Sequence, residues 1–160
     1  MRLAIFPGWL LRPALLWAVL LGPCCGLAAT PSTPLSLELN KLAPLEGGTG
    51  CRAYFVIANP GTDTISELQL DLVLFGTDGI ITGRVAVEVG PLPADKTVVR
   101  LFDLTGTKCD SIGHVLLNDV LSCRVESAPP AAPPAAGDTE RAACLDRIKV
   151  SSLTSVPLTK

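Results

Sequence analysis

A strictly alternating stretch near the middle of the chain limits the fold more than any other feature. Between residues 68 and 75 every second residue is leucine, and Gly76-Thr77-Asp78-Gly79 ends the run. Side chains of a β-strand point alternately to two faces, so the four leucines share one face. Asp-Gly between two apolar runs is typical of a tight hairpin turn. The pattern predicts a half-buried strand that turns back into a second strand.

Short apolar runs separated by Gly- and Pro-containing turns recur along the rest of the chain, which is typical of an all-β protein. The seven predicted strands are residues 35–39, 51–58, 68–75, 80–89, 97–104, 114–121 and 144–153. Residues 127–138 (SAPPAAPPAAGD) contain two Pro pairs and predict an exposed, extended loop. We therefore expect an all-β fold, a seven-stranded immunoglobulin-like antiparallel sandwich of residues 30–160.

The N-terminal segment has the character of a signal peptide. Residues 14–22 (ALLWAVLLG) form an apolar run too short to span a bilayer, and small residues surround Ala28 and Ala29. We expect a cleaved signal peptide over residues 1–29 and a periplasmic or secreted protein. The alternative is a retained membrane anchor over residues 3–21, which Arg12 in its middle opposes.

Charge excludes one class of partner. Removal of residues 1–29 takes away two of the 13 basic residues and none of the 15 acidic ones, which leaves 11 against 15. No basic cluster is present in the sequence, whereas nucleic-acid binding needs a concentrated cationic face. We expect no nucleic-acid partner, and membrane association only if the signal peptide is retained as an anchor.

Four cysteines remain after the expected cleavage: Cys51, Cys109, Cys123 and Cys144. An even number in an exported chain predicts disulfides. If the strands alternate in direction, Cys51 and Cys109 lie at one end of the sandwich, and Cys123 and Cys144 at the other. The sequence thus predicts those two bonds. A four-cysteine zinc site is disfavoured because the sequence has no C-x-x-C pair.

No catalytic or cofactor-binding constellation stands out in the sequence. His114 is the only histidine, and its acidic neighbour Asp110 is too near in sequence to indicate a triad. Carboxylates such as Asp71 and Asp78 are interpreted as solvated strand-face and turn residues. We expect no enzyme, cofactor or metal. The alternative is a small hydrolase or metal-handling protein that uses His114 with nearby acids.

Residues 54–104 resemble the FxLyD-type domains of bacterial envelope proteins. The resemblance rests on Asn59-Pro60-Gly61, on LQLDLVLFGTDG, on GPLPADK and on a strand containing Phe102. Gly76 intervenes after the strand aromatic and Ala94 replaces the usual Gly, so the match is partial. The whole chain also resembles a group of small exported proteobacterial proteins. Both resemblances imply a bacterial β-sandwich, and neither brings catalytic residues.

Outward-facing apolar residues indicate where this domain binds. Tyr54, Val73 and Phe75 fall on the strand faces opposite the predicted core, and an exposed aromatic on a strand can anchor a partner. The alternative is that a terminal segment covers them, or that they reflect only the ordinary preference of such residues for strands. We expect a non-enzymatic binding or structural domain of the bacterial envelope that contacts another protein through these residues.

Overall fold

A computed structural model of the chain describes residues 33–126 and 137–160. The strands and the helix are β1 (Leu35–Pro44), β2 (Gly50–Asn59), β3 (Thr64–Gly76), β4 (Ile81–Glu88), β5 (Lys96–Thr105), β6 (Ile112–Glu126), α1 (Asp138–Arg147), β7 (Ile148–Ser152) and β8 (Leu158–Thr159). The expected signal peptide and residues 127–136 of the expected loop lie outside the described residues.

The described strands form two four-stranded sheets. The first sheet has the order β5-β2-β1-β7, and the second has the order β4-β3-β6-β8. The all-β prediction is confirmed in its coarser form: the described part of the chain is mostly β in two sheets, with eight strands and one α-helix in place of the seven predicted strands. The prediction of a wholly antiparallel arrangement is wrong at two edges, because β7 runs parallel to β1 and β8 runs parallel to β6.

The two sheets share one hydrophobic core. The leucines at positions 68, 70, 72 and 74 of β3 are all buried, as the alternation predicted. They belong to one cluster with Leu35, Leu37 and Leu39 of β1, which is part of the other sheet. A fully buried leucine contributes about 2 kcal/mol of transfer free energy. The contact between these two leucine faces therefore holds the sheets together.

The end of the chain departs from the prediction. Residues 144–147 were expected to begin a strand, but Cys144 lies in α1 and the strand starts only at Ile148. Asp138 and Glu140 in the first turn of α1 and Arg147 in its last turn suit the helix dipole. The helix also includes the last residue of the predicted 127–138 loop. No helix among the described residues has the length and apolar character that a membrane crossing requires.

Both predicted disulfides are present. Cys51 at the start of β2 is bonded to Cys109, just before β6, with Cα atoms 4.9 Å apart. Cys123 of β6 is bonded to Cys144 of α1, with Cα atoms 6.5 Å apart. The first bond joins β2 to the segment that leads into β6, and the second attaches the helix to β6. The bonded cysteines are 58 and 21 residues apart in sequence. In the loop-entropy model, the two bonds stabilise the fold by about 4 and about 3 kcal/mol.

Asn59 connects two loops at one end of the molecule. Its side chain is fully buried, and Nδ2 donates to the carbonyl oxygens of Asp63 (2.8 Å), Leu92 (3.1 Å) and Pro93 (3.1 Å). Its Oδ1 accepts the N–H of Gly61 at 3.2 Å. The predicted turn after β2 is therefore held against the β4–β5 connection by one amide.

We predict that Asn59→Asp destabilises the protein by about 3 kcal/mol or more, because a buried carboxylate cannot donate to three carbonyl oxygens. The matched control is Asn40→Asp at an exposed position of β1, which should cost less than about 1 kcal/mol. Chemical denaturation of both variants measures the difference. Equal losses would show that the Asn59 amide does not hold the two loops together.

Candidate binding surfaces

The outward face of β3 contains two of the three predicted binding residues, Val73 and Phe75, which differ in exposure. Val73 is only 8% exposed and lies in register between Arg84 of β4 and Leu116 of β6. Phe75, two residues further along the strand, is partly exposed. Val73 therefore offers little surface to a partner, whereas Phe75 offers an accessible ring.

The Phe75 ring stacks on His114 of β6. The ring centroids are 5.1 Å apart and the planes are inclined by 27°. On its other side His114 contacts β8, because Nε2 lies 2.7 Å from the Thr159 hydroxyl oxygen. The aromatic pair thus spans the central strands of the second sheet. Nowhere in residues 33–126 or 137–160 do three or more His, Cys, Asp or Glu side chains form a group that could hold a metal ion.

Two isoleucines extend this surface to the tip of the β3–β4 hairpin. Ile80 is 65% exposed and Ile81 is 61% exposed, and Ile81 lies opposite Phe75 in register. We call Phe75, Ile81 and His114, together with Ile80 at the adjoining hairpin tip, the hairpin patch. Sequence reasoning assigned both isoleucines to a strand without noting their exposure. The available signal for an exposed residue was the pair of consecutive isoleucines directly after the Asp-Gly turn. Because side chains alternate between the two faces of a strand, at least one of the pair must point away from the core.

The hairpin tip is fixed by hydrogen bonds. The Gly76 N–H donates to the Ile80 carbonyl at 2.8 Å, and the Gly79 N–H donates to the Gly76 carbonyl at 2.9 Å. The Asp78 carboxylate accepts the Ile80 N–H at 3.0 Å, and Gly79 has a φ of 79°, which favours glycine. Asp78 is therefore the turn residue that the sequence predicted. These hydrogen bonds define the backbone of the turn at which the patch lies.

Asp71 is a buried acid, not the solvated strand-face residue that was predicted. Its side chain is 2% exposed, and its two oxygens accept hydrogen bonds from Arg84 at 2.6 and 2.8 Å. Asn118 Nδ2 donates to the same carboxylate at 2.6 Å. Arg84 holds the pKa of Asp71 below its usual value, against the opposing effect of burial. Arg84 lies opposite Val73 in the hairpin, and Asp71 is two residues before Val73 on the same face of β3. The register of the hairpin was therefore the signal that could have located the pairing of Asp71 with Arg84.

Tyr54, the third predicted binding residue, lies in β2, on the outward face of the first sheet. It is partly exposed, and Lys41 Nζ is 5.5 Å from its ring centroid. Leu101 of β5 lies opposite Tyr54, and Val99 lies two residues further on; they are 48% and 53% exposed. The structure therefore brings Phe75 together with His114, while Tyr54 belongs to a separate surface on the other sheet.

Comparisons of this chain with protein-family models, with curated proteins and with solved structures found no match. The FxLyD-type resemblance and the immunoglobulin-like topology therefore stay predictions. The geometry of the surfaces themselves carries the functional argument.

The Asp71 cluster predicts how stability depends on pH. Because the folded-state pKa of Asp71 is below its ordinary value of 3.8, its contribution is present above about pH 4 and is lost as the pH falls through the folded pKa. Asp71→Asn should cost about 2 kcal/mol at neutral pH. The difference from wild type, measured by urea unfolding, should narrow as the pH falls below about 4.

Asp103→Asn is the control. Arg52 bonds this carboxylate at 2.6 and 2.8 Å and lowers its pKa, but both side chains are well exposed to solvent. Its smaller effect should disappear in high salt, whereas the Asp71 effect should persist. An Asp71 variant with the same stability deficit at every pH would contradict this account.

Proposed function

We propose that this chain is an exported, non-enzymatic binding domain of the bacterial envelope that acts by protein–protein contact. Its two disulfides fit an oxidising compartment, extracellular or periplasmic. The signal-peptide pattern of residues 1–29 supports export, and the two-sheet arrangement supports an immunoglobulin-like assignment. The FxLyD-type resemblance supports a bacterial envelope origin.

The observation that carries the proposal is the exposure of Ile81 opposite the partly exposed Phe75, with Ile80 exposed at the adjoining tip of the hairpin. Large apolar side chains grouped at a surface favour association, and buried aromatic anchors dominate the energy of many interfaces. The hairpin hydrogen bonds fix the backbone at the patch, so this domain loses little conformational entropy when a partner binds. The net negative charge of the chain favours a protein partner over an anionic membrane surface.

A second candidate function has one observation in its favour. The 2.7 Å contact between His114 Nε2 and the Thr159 hydroxyl has the length expected of a base and a nucleophile. It keeps open the alternative of a small hydrolase that uses His114. Assay of generic ester and peptide substrates with wild type and Thr159→Val separates the two functions, since a binding domain hydrolyses neither.

We predict that Ile80→Ser/Ile81→Ser weakens capture of the envelope partner by about tenfold or more. Both positions are exposed, so the change in unfolding free energy should stay near 0.5 kcal/mol for each substitution. Affinity capture from native envelope extracts, followed by mass spectrometry, identifies the partner. Titration of the purified partner then gives the change in Kd.

The matched control is Leu153→Ser. Leu153 has the size of an isoleucine, is exposed to a similar extent and lies outside the patch. It should leave capture unchanged. Phe75→Ala is a second test of the patch and should weaken capture in the same direction. A partner that binds wild type and the Ile80/Ile81 double variant equally would show that the patch is not the binding site.

A further inference from the structure

The outward face of the first sheet contains an open cleft with a volume of about 600 Å³. One wall is the β1–β2 connection, which contributes Leu45, Glu46 and Thr49. The floor is the outward side of β2, where Arg52 and Tyr54 lie two residues apart on the same face. Ligand sites in proteins have volumes of about 300 to 1,000 Å³ and a few convergent polar groups. The cleft therefore has the size of a small-ligand site, and it lies on the other sheet from the hairpin patch.

The wall of the cleft is a tight turn with bare backbone. Gly47 and Gly48 follow Glu46 and have φ angles of 78° and 68°, which favour glycine. The Gly48 N–H donates to the Leu45 carbonyl oxygen at 2.9 Å, which fixes the turn. A Cβ atom on either glycine would meet nothing within 4 Å, so the space beside the turn is open. A ligand can thus approach the main chain between Glu46 and Thr49.

Arg52 supplies hydrogen-bond donors in fixed positions. Its Nε and Nη2 donate to the Asp103 carboxylate at 2.6 and 2.8 Å. Asp103 occupies only one edge of the guanidinium group, and the Arg52 side chain is 40% exposed. The remaining N–H groups can donate to a ligand in the cleft, and the ion pair has already ordered the side chain that carries them.

Tyr54 supplies a flat aromatic surface beside these donors. The side chain is partly exposed, and Lys41 Nζ lies over the ring, 5.5 Å from its centroid. Lys41 is itself exposed, and a cation–π contact at an exposed position is weak. A ligand can therefore take the place of the ammonium group over the ring and keep it as a donor at its rim.

The charges around the cleft balance. Arg52 is paired with Asp103, and the exposed Lys41 and Glu46 have opposite signs. An ionic ligand therefore gains little from the net field of the site. A purely apolar ligand would leave the guanidinium and carboxylate groups of the lining without hydrogen-bond partners. The lining instead suits an uncharged ligand with a flat apolar face and many hydroxyl groups, since a hydroxyl both donates and accepts.

We propose that this cleft binds a neutral saccharide. A pyranose ring has C–H groups on its faces and hydroxyl groups around its rim, which match the Tyr54 ring and the polar groups beside it. One sugar ring lies over Tyr54, and its hydroxyl groups accept from Arg52 and donate to the Glu46 carboxylate. The saccharide and the protein partner of the hairpin patch occupy opposite sheets, so the two proposals stand or fall separately.

NMR titration of the purified, disulfide-bonded protein tests this site with three uncharged probes: maltotriose, chitotriose and mannotriose. At least one should shift the amide signals of residues 45–54 in a saturable way, with a Kd on the order of 1 mM. Absence of saturable shifts with all three probes up to about 50 mM would overturn the proposal. Equal or tighter binding of sodium sulfate or of triglycine at the same residues would also overturn it, because the cleft would then be an anion or peptide site.

Variants of the floor test the stacking. Tyr54→Ala should weaken saccharide binding by about tenfold or more, whereas Tyr54→Phe keeps the ring and should stay within about twofold of wild type. Arg52→Lys keeps the charge but loses the planar group that Asp103 orders, and it should also weaken binding. The amide spectrum of each variant shows whether the domain is folded.

Phe75→Ala is the matched control, since it removes an aromatic ring from the outward face of the other sheet. It should leave saccharide binding unchanged while it weakens capture of the protein partner. Wild-type saccharide affinity in Tyr54→Ala, or an equal loss in Phe75→Ala, would overturn the proposed site whatever the result of partner capture.

Discussion

The contact on which the rest of the structure depends is that between the leucine face of β3 and the inward face of the first sheet. β3 pairs with both β4 and β6, and its leucines join the core that β1 and β2 also line. A sheet with one apolar face is stable only when another layer covers that face. The opposite side of the same strand carries Asp71 and Phe75. The strand that organises the core therefore also positions the polar cluster and the hairpin patch.

Features that depend on local sequence or on strand direction were predictable. The alternation in β3, the Asp-Gly turn and the two disulfides follow from side-chain periodicity and from which strand ends meet. The C-terminal region was not predictable in this way. Residues 144–147 were joined to the strand that contains Ile148 and Val150, yet they belong to α1, whose acidic start and basic end favour a helix. The parallel pairing of β7 then follows from the position to which this helix returns the chain.

The candidate surfaces were only partly predictable, because exposure depends on neighbours from other strands. Alternation correctly placed Val73 and Phe75 on the face opposite the core. It could not show that Arg84 and Leu116 flank Val73, or that His114 stacks on Phe75. The burial of Asp71 likewise requires Arg84 and Asn118 from two different strands. The pattern within one strand shows to which face a side chain points, whereas its neighbours on the adjacent strands determine how much of it is exposed to solvent.

The parallel pairing of β1 with β7 has a consequence for biogenesis. β1 is the earliest described strand to emerge during synthesis, yet Ser152 of β7 bonds to Leu39 across 113 residues. β2 and the Cys51–Cys109 bond can be completed sooner, since their residues are nearer to β1 in sequence. One edge of the first sheet stays open until β7 is made. Such long-range closure slows folding and leaves a nascent chain exposed to misassociation. β7 thus completes the first sheet by pairing with β1.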